Sequence, residues 1–481
     1  MPESLNYSKL GFKSGLEIHQ QLDTHKLFCN CPSLLRKDEP NLEVRRKLHA
    51  VAGEEGKVDA AAAHEAGLDK EFIYQSYDTT CLVELDEEPP YEINKEALMT
   101  ALHISLLLNA KILSLSQIMR KTVINGSNTS GFQRTVMIAR DGFVESSFGR
   151  VGIGGIFLEE DSARTIATDK NKIIYRLDRL GIPLVEIATA PDIKTPQQGK
   201  EVALKIGDIL RSCKVKRGLG TIRQDINLSI RGGNRVELKG FQDPDLMIKA
   251  YDNEIKRHLS FLEKDDKNPA EVRDVMDDGT SKFLRPMPGA DRMYPETDLP
   301  LLKISRDFIN DAKKTLPKLR EEIEKELRKE GLEEQYINLL FKQGKVSLYR
   351  ELYYLLPKSN SIARTILLLP KEIAAKKKRK LEEIEEILED HYQDVFDLLV
   401  KRKIKEDQIK NVLEALADGK SLQEAINFEE VDISEIEEKI HKLIKEKPGL
   451  NENAYMGLVM KELRGKISGS EAMEIIKRLM K

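Results

Sequence analysis

The sequence predicts an α+β protein, in which a strand-rich first part is followed by a region built from helices. Up to about residue 305, segments alternate apolar and polar residues, which is the period of a half-buried strand, and most of the glycines lie there. Beyond that point, as in residues 318–344, apolar residues recur every three or four positions among dense charge, as in amphipathic helices. The length of 481 residues corresponds to about three domains.

The composition excludes several classes of protein. No apolar run approaches the ~20 residues of a membrane span, and the N-terminal residues lack the hydrophobic core of a signal peptide. We therefore expect a cytoplasmic protein that does not associate with a membrane. The net charge of −3 does not exclude a nucleic-acid partner, because such binding depends on local charged patches rather than on the total.

The four cysteines are too few for a disulfide framework in a chain of this length. Cys29 and Cys31 are separated by one residue, with Cys81 far downstream, whereas paired thiols of structural zinc sites usually have two residues between them. Buried free thiols are therefore favoured over a zinc site.

The first strand is predicted within residues 11–22, "GFKSGLEIHQQL". Because successive side chains of a strand point to opposite faces, Leu16 and Ile18 face one side while Glu17, His19 and Gln21 face the other. A solvated face of an antiparallel sheet would explain such a row without any function. A metal or phosphate site would explain it too, since Glu oxygens and His nitrogens are metal ligands.

Two segments of the first part have the apolar spacing of amphipathic helices. Residues 95–112 have an apolar stripe with helical spacing, and residues 195–213 form a second amphipathic stretch. Thr195 is suited to cap the second helix, with Pro196 at its first position.

Later strands repeat the polar face of the first one. Residues 221–231 place Arg223, Asp225 and Asn227 opposite an apolar row, and residues 235–241 add Glu237 and Lys239. Further acidic and basic residues follow in two more segments: Glu159, Glu160 and Asp161, and then Asp178, Arg179 and Glu186. Carboxylates bind Mg²⁺ and arginine binds phosphate oxygens, so such a face is suited to phosphoryl transfer, and a merely solvated face stays open as the alternative.

Familiar nucleotide-binding motifs are absent from the sequence, which contains neither a P-loop nor a dinucleotide fingerprint. Residues 119–134 are basic at both ends, with Asn, Gly, Ser and Thr between. Such a segment either offers backbone N–H groups and hydroxyls to an anion or forms an ordinary turn.

Seven segments of the first part together resemble the GatB/GatE family, the transamidation subunits of tRNA-dependent amidotransferases. They are "GLEIHQQLDTHKLFCNCPS", "DTTCLVELDEEPP", "RKTVINGSNTSGFQR", "LEEDSAR", "YRLDRLGIPLVEIATAPDI", "RGLGTIRQDINLSIRGGNRVELKG" and "LRPMPGADRMYPETDLP". The tail segment "MGLVMKELRGK" extends the resemblance over most of the chain. The residues of several segments resemble archaeal E-type members more closely than B-type members.

The resemblance implies an activity and its partners. Such enzymes use ATP and Mg²⁺ to phosphorylate the side-chain carboxylate of glutamate misattached to tRNA(Gln), and ammonia then displaces phosphate to give Gln-tRNA(Gln). Ammonia comes from an asparaginase-like partner, GatD, in a D2E2 heterotetramer. The implied domains are a cradle with a glutamine-synthetase-like antiparallel sheet, an all-α helical domain and a YqeY-like tail that binds tRNA. We place them at residues 1–304, 305–395 and 396–481.

The resemblance also assigns roles to individual residues. It implies metal ligands at Glu17, His19 and Glu160, with Glu159 as an adjacent candidate. It places Asp225, Glu237 and Lys121 in catalysis, the two carboxylates near metal or ammonium and Lys121 near phosphate. Arg120, Arg179, Arg223 and Lys239 are expected to contact the phosphates of ATP. On this basis, Glu160→Gln is expected to keep tRNA binding and to abolish ATP cleavage that depends on Glu-tRNA.

Two departures from the family pattern qualify these expectations. E-type members usually carry a large inserted domain resembling part of aspartyl-tRNA synthetase, and here only a short bridge follows residues 251–264. B-type members often bind zinc through four cysteines, and this chain has only three near that place, so no zinc is predicted. Two alternatives remain open: a B-type member that pairs with an amidase and also handles Asp-tRNA(Asn), and a non-catalytic tRNA-binding protein of the same fold.

Overall fold

A computed structural model gives the conformation of most of the chain. It describes residues 5–49, 56–58, 60–218, 220–241, 244–289, 292–427, 433–462 and 469–480. Three segments that carry the family resemblance extend outside this part of the chain, at residue 219, at residues 290–291 and at residues 463–466. No helix in the described part is both long and apolar enough to cross a membrane.

The chain forms two compact units, Met1–Arg320 and Glu321–Lys481. Strands occur in the first unit, which confirms the α+β class and the helical C-terminal region. The strands are β1 Lys13–Gln21, β2 Leu42–Arg46, β3 Glu71–Ser76, β4 Lys111–Ile112, β5 Leu115–Ser116, β6 Ile118–Thr122, β7 Phe132–Ser146, β8 Gly149–Glu160, β9 Arg164–Thr168, β10 Lys172–Arg176, β11 Pro183–Thr189, β12 Ile222–Ser229, β13 Val236–Phe241, β14 Glu271–Val275, β15 Ser281–Pro286, β16 Met293–Pro295 and β17 Leu302–Lys303.

Helices of the first unit lie between these strands. They are α1 Ala60–Ala66, α2 Lys95–Leu107, α3 Pro196–Ser212, α4 Pro244–Leu262 and α5 Arg306–Lys314. The apolar stripe predicted for residues 95–112 is buried, as in Leu98 and Leu102. Helix α3 begins as predicted, because Thr195 accepts a hydrogen bond from the N–H of Gln198 and Pro196 occupies the first turn.

The large sheet positions the polar residues. Within the described residues its strand order is β15-β14-β13-β12-β1-β11-β8-β7-β6-β16, and β4 adds to β7. Neighbouring strands are antiparallel except β13 and β14, which are parallel. Leu16, Ile18 and Leu228 belong to a buried core that also contains Leu98 of α2 and Val202 of α3. One face of the central strands is therefore covered by helices, and the alternate residues occupy the other face.

A smaller sheet, β2-β3-β10-β9, packs around a second core in the same unit. Two of its tyrosines form hydrogen bonds with residues 119–134, the segment that was predicted either to bind an anion or to form an ordinary turn. Tyr74 donates its hydroxyl hydrogen to the carbonyl of Gly126 at 2.8 Å, and Tyr175 donates to the carbonyl of Asn125 at 2.8 Å. Gly126 has φ +84, a left-handed conformation that suits glycine.

Among its described residues the second unit consists of helices joined by turns, and it contains no strand. Its helices are α6 Arg320–Lys329, α7 Glu334–Gln343, α8 Val346–Leu355, α9 Ser359–Leu367, α10 Leu369–Lys377, α11 Leu381–Glu389, α12 Tyr392–Val400, α13 Ile409–Ala417, α14 Leu422–Ala425, α15 Ile433–Glu446, α16 Glu452–Glu462 and α17 Gly469–Leu479. One core extends from Leu327 to Ala425 and another from Ile436 to Ile476.

The division into units differs from the expected domain boundaries. The first unit ends at Arg320 rather than at residue 304, because Phe308 and Ala312 of α5 pack into the core of that unit. The expected boundary between residues 395 and 396 falls inside α12, whose Tyr392 and Phe396 both belong to one core. A separate tail domain at 396–481 stays a prediction.

Candidate cation and phosphate site

The polar face of the large sheet is assembled by strand register. In the antiparallel ladders His19 pairs with Glu186 on one side and with Arg223 on the other, and Glu17 pairs with Asp225. Directly paired residues of antiparallel strands point to the same face. Side chains from β1, β11 and β12 that are far apart in sequence therefore meet on this face.

Glu17, His19 and Glu186 form the first candidate group of metal ligands. Each offers a ligand atom, and these atoms all lie within 4.8 Å of one another. His19 Nε2 is 3.4 Å from Glu186 Oε2 and 3.9 Å from Glu159 Oε1. Lys121 closes the group, with its Nζ 2.9 Å from Glu159 Oε2 and 3.4 Å from Glu186 Oε2.

The charges of this first group perturb one another. Burial raises the pKa of the Glu159 carboxyl, and the nearby Lys121 opposes this only in part. Burial also acts to raise the pKa of Glu186, but the charges of Lys121 and His19 overcome it and lower that pKa overall. For His19, burial acts to lower the pKa, and the hydrogen bond with Glu186 raises it overall. The carboxylates thus favour a cationic imidazole when no metal is bound.

Glu17 also belongs to a second candidate group, together with Asp225 and Glu237. Here the chain supplies its own cation, since Lys239 Nζ lies 2.5 Å from both Asp225 Oδ2 and Glu237 Oε1. Asn227 donates a hydrogen bond to Glu17 Oε1 at 2.9 Å. Burial, followed by the charges of Glu237 and Glu186, raises the pKa of Glu17.

Glu160 and Arg120 do not join these groups, contrary to the roles expected of them. Glu160 follows Glu159 in β8 and therefore points to the opposite face, where Arg134 Nη1 lies 3.3 Å from its Oε1. Arg120 pairs with Glu296, at 2.5 Å, and with Asp298, at 3.1 Å. Both residues belong to an ion-pair network around the buried Arg134 and Glu296, so we replace Glu160 by Glu186 in the candidate ligand set.

Two further arginines of the expected phosphate set meet at one carboxylate. Arg223 Nη2 donates to Asp161 Oδ1 at 2.9 Å, and Arg179 Nε lies 3.8 Å from Asp161 Oδ2. Gln21 donates to the same carboxylate at 2.6 Å. Burial lowers the pKa of Arg179, and the neighbouring Arg223 also lowers it. This concentration of positive charge beside the acidic groups suits a phosphate-bearing ligand.

The sequence pattern identified most of this face but did not single out Glu186 as a ligand. Glu186 is the one acidic residue of the largely apolar strand β11, and its proximity to His19 depends on how β1 and β11 pair. The sequence pattern also did not identify Glu84 as a candidate ligand. It lies beside Cys29, Cys31 and Cys81, which the structure brings together.

Comparison with known proteins identifies the family of the chain. The profile described as GatB/GatE catalytic domain matches residues 12–310. The E subunit of glutamyl-tRNA(Gln) amidotransferase from Methanocaldococcus jannaschii is 36% identical over 99% of both chains. Proteins of the same name from Methanococcus maripaludis strain C7 and Archaeoglobus fulgidus are each 35% identical; the first alignment covers 96% of this chain and 97% of the relative, and the second 99% of both.

Proposed function

Because the chain belongs to the GatB/GatE family, we propose that it is the E-type transamidation subunit that converts Glu-tRNA(Gln) to Gln-tRNA(Gln). Full-length similarity to proteins named as the E subunit of glutamyl-tRNA(Gln) amidotransferase carries this proposal. It favours the E type over the B type. The intact set of carboxylates on one sheet face favours an enzyme over a non-catalytic tRNA-binding protein.

The reaction needs an activated carboxyl group. A carboxylate has no adequate leaving group at neutral pH, and transfer of the ATP γ-phosphoryl group to it supplies one. Mg²⁺, when bound, would neutralise phosphate charge during this transfer. Glu17, Glu159 and Glu186 offer the oxygen ligands that Mg²⁺ prefers, and His19 offers a nitrogen.

We assign the lysines and the second acidic group to charge control. Lys121 lies between Glu159 and Glu186, and we propose that it contacts a transferring phosphoryl oxygen. Attack of ammonia on the acyl phosphate forms the C–N bond, expels phosphate and leaves a surplus proton on nitrogen. We propose that Asp225 or Glu237 accepts that proton, and that Lys239, which contacts both carboxylates, holds their orientation. Arg179 and Arg223 are proposed to bind ATP phosphates.

Several features of the assembly extend the proposal. The name of the relatives implies a multi-subunit enzyme with a tRNA substrate. We propose an asparaginase-like GatD partner that delivers ammonia in a D2E2 heterotetramer, and we propose a cytoplasmic location because charged tRNA is consumed there. We also propose that the large sheet is a glutamine-synthetase-like cradle and that the C-terminal helices include a YqeY-like tail that holds tRNA.

A missing internal segment accompanies the overall similarity. The alignment with the Methanocaldococcus jannaschii relative spans 629 positions, whereas this chain has 481 residues. That relative therefore contains residues without a counterpart here. We propose that they form the inserted domain expected after residues 251–264.

The test is direct amidation by the purified chain. The chain is mixed with Glu-tRNA(Gln), ATP, Mg²⁺ and ammonium, which replaces the partner as nitrogen source, and Gln-tRNA(Gln) and ADP are measured. Product with Glu-tRNA(Gln) and none with Asp-tRNA(Asn) supports the E type. Product with both supports the B type. Binding of tRNA without ADP formation, in the presence of the partner as well, would overturn the proposal in favour of a non-catalytic protein.

A further inference from the structure

A buried carboxylate lies at the end of β8, where the acidic face meets the arginines. Asp161 follows β8 directly, and its contacts with Gln21 and Arg223 place it on the face that carries the candidate metal ligands. The backbone around it is fixed from both sides. Its N–H donates to the carbonyl of Ile182 at 2.8 Å, and its carbonyl accepts from the N–H of Gly181 at 3.0 Å. The position of this carboxylate is therefore set by the sheet and the turn that follows it.

Three donors occupy the two oxygens of Asp161. Oδ1 accepts from Arg223 Nη2 at 2.9 Å and from the N–H of Ser162 at 2.9 Å. Oδ2 accepts from Gln21 Nε2 at 2.6 Å. Both oxygens act as acceptors at once, which a carboxylate can do and an amide cannot, because an amide has one acceptor and one donor group. Asparagine at this position would turn a donor toward one of these three partners.

The two arginines beside Asp161 depend on it to different extents. Arg179 donates from Nε to the carbonyl of Ser162 at 2.7 Å and from Nη2 to the carbonyl of Ala163 at 2.8 Å, whereas its Nε is 3.8 Å from Asp161 Oδ2. Within the part of the chain that the structure describes, the hydrogen-bond partner of Arg223 is Asp161. Backbone carbonyls thus hold Arg179 without Asp161, but the position of Arg223 depends on that carboxylate.

The side chain of Arg223 connects the buried carboxylate to the open side of the face. It is 37% exposed, whereas the side chain of Asp161 is 1% exposed. A guanidinium is a planar fork of five N–H groups, so an arginine that donates from Nη2 to a carboxylate has further N–H groups for a phosphate. Arg223 pairs with His19 in the ladder of β1 and β12, which places it beside the candidate metal ligands.

We propose that Asp161 is a positioning residue that holds Arg223 toward the phosphates of ATP. This inference rests on the proposed function, in which Arg223 contacts those phosphates. Asp161 does not itself contact the nucleotide. It fixes one edge of the guanidinium and so restricts the conformations that a partly exposed arginine would otherwise sample. Such preorganisation raises affinity, because less conformational entropy is lost when the phosphate binds. Gln21 supports the arrangement by holding the opposite oxygen of the carboxylate.

A second buried aspartate provides a comparison with a purely structural ion pair. Asp178 is fully buried, and it accepts from Arg164 Nη2 at 2.5 Å and from the N–H of Arg36 at 2.7 Å. It therefore resembles Asp161 in burial and in the kinds of donor that it binds. Arg164, however, belongs to β9 of the smaller sheet and is not among the arginines proposed to bind ATP. Asp178→Asn is thus the matched control for Asp161→Asn.

The test is equilibrium binding of ATP with Mg²⁺ to the full chain, together with KM for ATP and kcat of ADP formation. Asp161→Asn is expected to weaken ATP binding and raise KM roughly ten- to a hundredfold, the effect of one hydrogen bond to a charged group, with a smaller change in kcat. Asp178→Asn is expected to lower the thermal unfolding midpoint and to keep ATP affinity. Wild-type ATP affinity in Asp161→Asn, or an equal loss in Asp178→Asn, would overturn the proposal.

A double-mutant cycle separates positioning from a general loss of stability. If Asp161 acts through Arg223, Asp161→Asn should add little further loss of ATP affinity in a chain that already carries Arg223→Gln. Losses that add in full would overturn the proposal. Arg223→Lys keeps the charge but lacks the fork, so its ATP affinity should approach that of Arg223→Gln. If Asp161→Asn fails to fold, this variant decides the outcome, because wild-type affinity in Arg223→Lys would show that a held fork is not needed.

The outcome can be separated from that of the proposed function. A wild-type chain that binds ATP but forms no Gln-tRNA(Gln), with ammonium or with the partner, overturns the proposed function, and the binding measurements still decide the role of Asp161. A wild-type chain that forms Gln-tRNA(Gln), while Asp161→Asn keeps its ATP affinity, overturns the role of Asp161 alone. A wild-type chain that binds no ATP overturns both.

Discussion

Glu159 and Glu160 are adjacent in β8, yet substitution of each is expected to have a different effect. Glu159→Gln removes a carboxylate beside His19 and Lys121, whereas Glu160→Gln removes the partner of Arg134 on the opposite face. The two substitutions are chemically identical. Each variant therefore serves as the control for the other.

Glu159→Gln is expected to reduce catalysis with little loss of stability. Burial raises the pKa of the Glu159 carboxyl, which means that its charge is costly in the folded state, and an amide removes that cost. Loss of a group that positions charge around a transferring phosphoryl group lowers the rate by roughly 10²–10³-fold. The assay is ADP formation that depends on Glu-tRNA(Gln), with ammonium as the nitrogen source.

Glu160→Gln is expected to reduce stability and to keep catalysis at temperatures where the chain is folded. The amide cannot neutralise Arg134, although Arg134 Nε keeps Glu296 at 2.8 Å. A lost hydrogen bond to a charged group costs roughly 1–3 kcal/mol, and each kcal/mol shifts the unfolding midpoint of a unit this large by about 2 °C. Thermal unfolding measures the shift. If Glu160→Gln abolished ATP cleavage with an unchanged midpoint while Glu159→Gln remained active, the assignment of faces would be refuted.

Three further predictions concern the charged groups of the first unit. The pKa of His19 is raised, and a metal ion binds only the neutral ring. The apparent Mg²⁺ affinity should therefore fall about tenfold per pH unit below that pKa. An affinity that does not change between pH 8 and pH 6 would contradict His19 as a ligand. Lys239→Met should create a second divalent-ion site at Glu17, Asp225 and Glu237, measured as added Mn²⁺ stoichiometry, whereas Lys239→Arg should not. Burial opposes ionisation of Glu254, but hydrogen bonds with His258 and Arg257 lower its pKa to about 2. Glu254 therefore contributes up to about 3 kcal/mol above pH 4.5, which is lost as the pH falls toward 2, and urea unfolding of the wild type and Glu254→Gln should converge over that range.

Local features of the fold were predictable because they depend on residues close together in sequence. The alternation at residues 13–21 gives β1, and the Thr195–Pro196 pair gives the start of α3. The limits of the first unit were not predictable in this way. The packing of α5 against that unit is a tertiary contact, and the amphipathic pattern of residues 306–314 suits many neighbours.

The candidate site was predictable as a set of strands but not as a set of contacts. Alternation places Glu159 and Glu160 on opposite faces, but only the register with β11 shows which of the two faces the site. The pairing of Glu186 with His19 has the same origin. A family pattern transfers the motif "LEEDSAR" as a whole, whereas strand geometry decides which of its carboxylates faces the site.

Two lysines of the acidic face lie among its carboxylates and offset part of their negative charge. Lys121 lies between Glu159 and Glu186, and Lys239 lies between Asp225 and Glu237. A divalent ion that binds Glu186 competes with the ammonium of Lys121, because both need the same carboxylate charge. Under the proposed function, a metal held there would leave Lys121 available to contact a phosphate oxygen of the nucleotide. On that proposal, ion binding and phosphate binding would be coupled through the half-buried Lys121, whereas Lys239, which bridges two carboxylates at 2.5 Å, would keep its place.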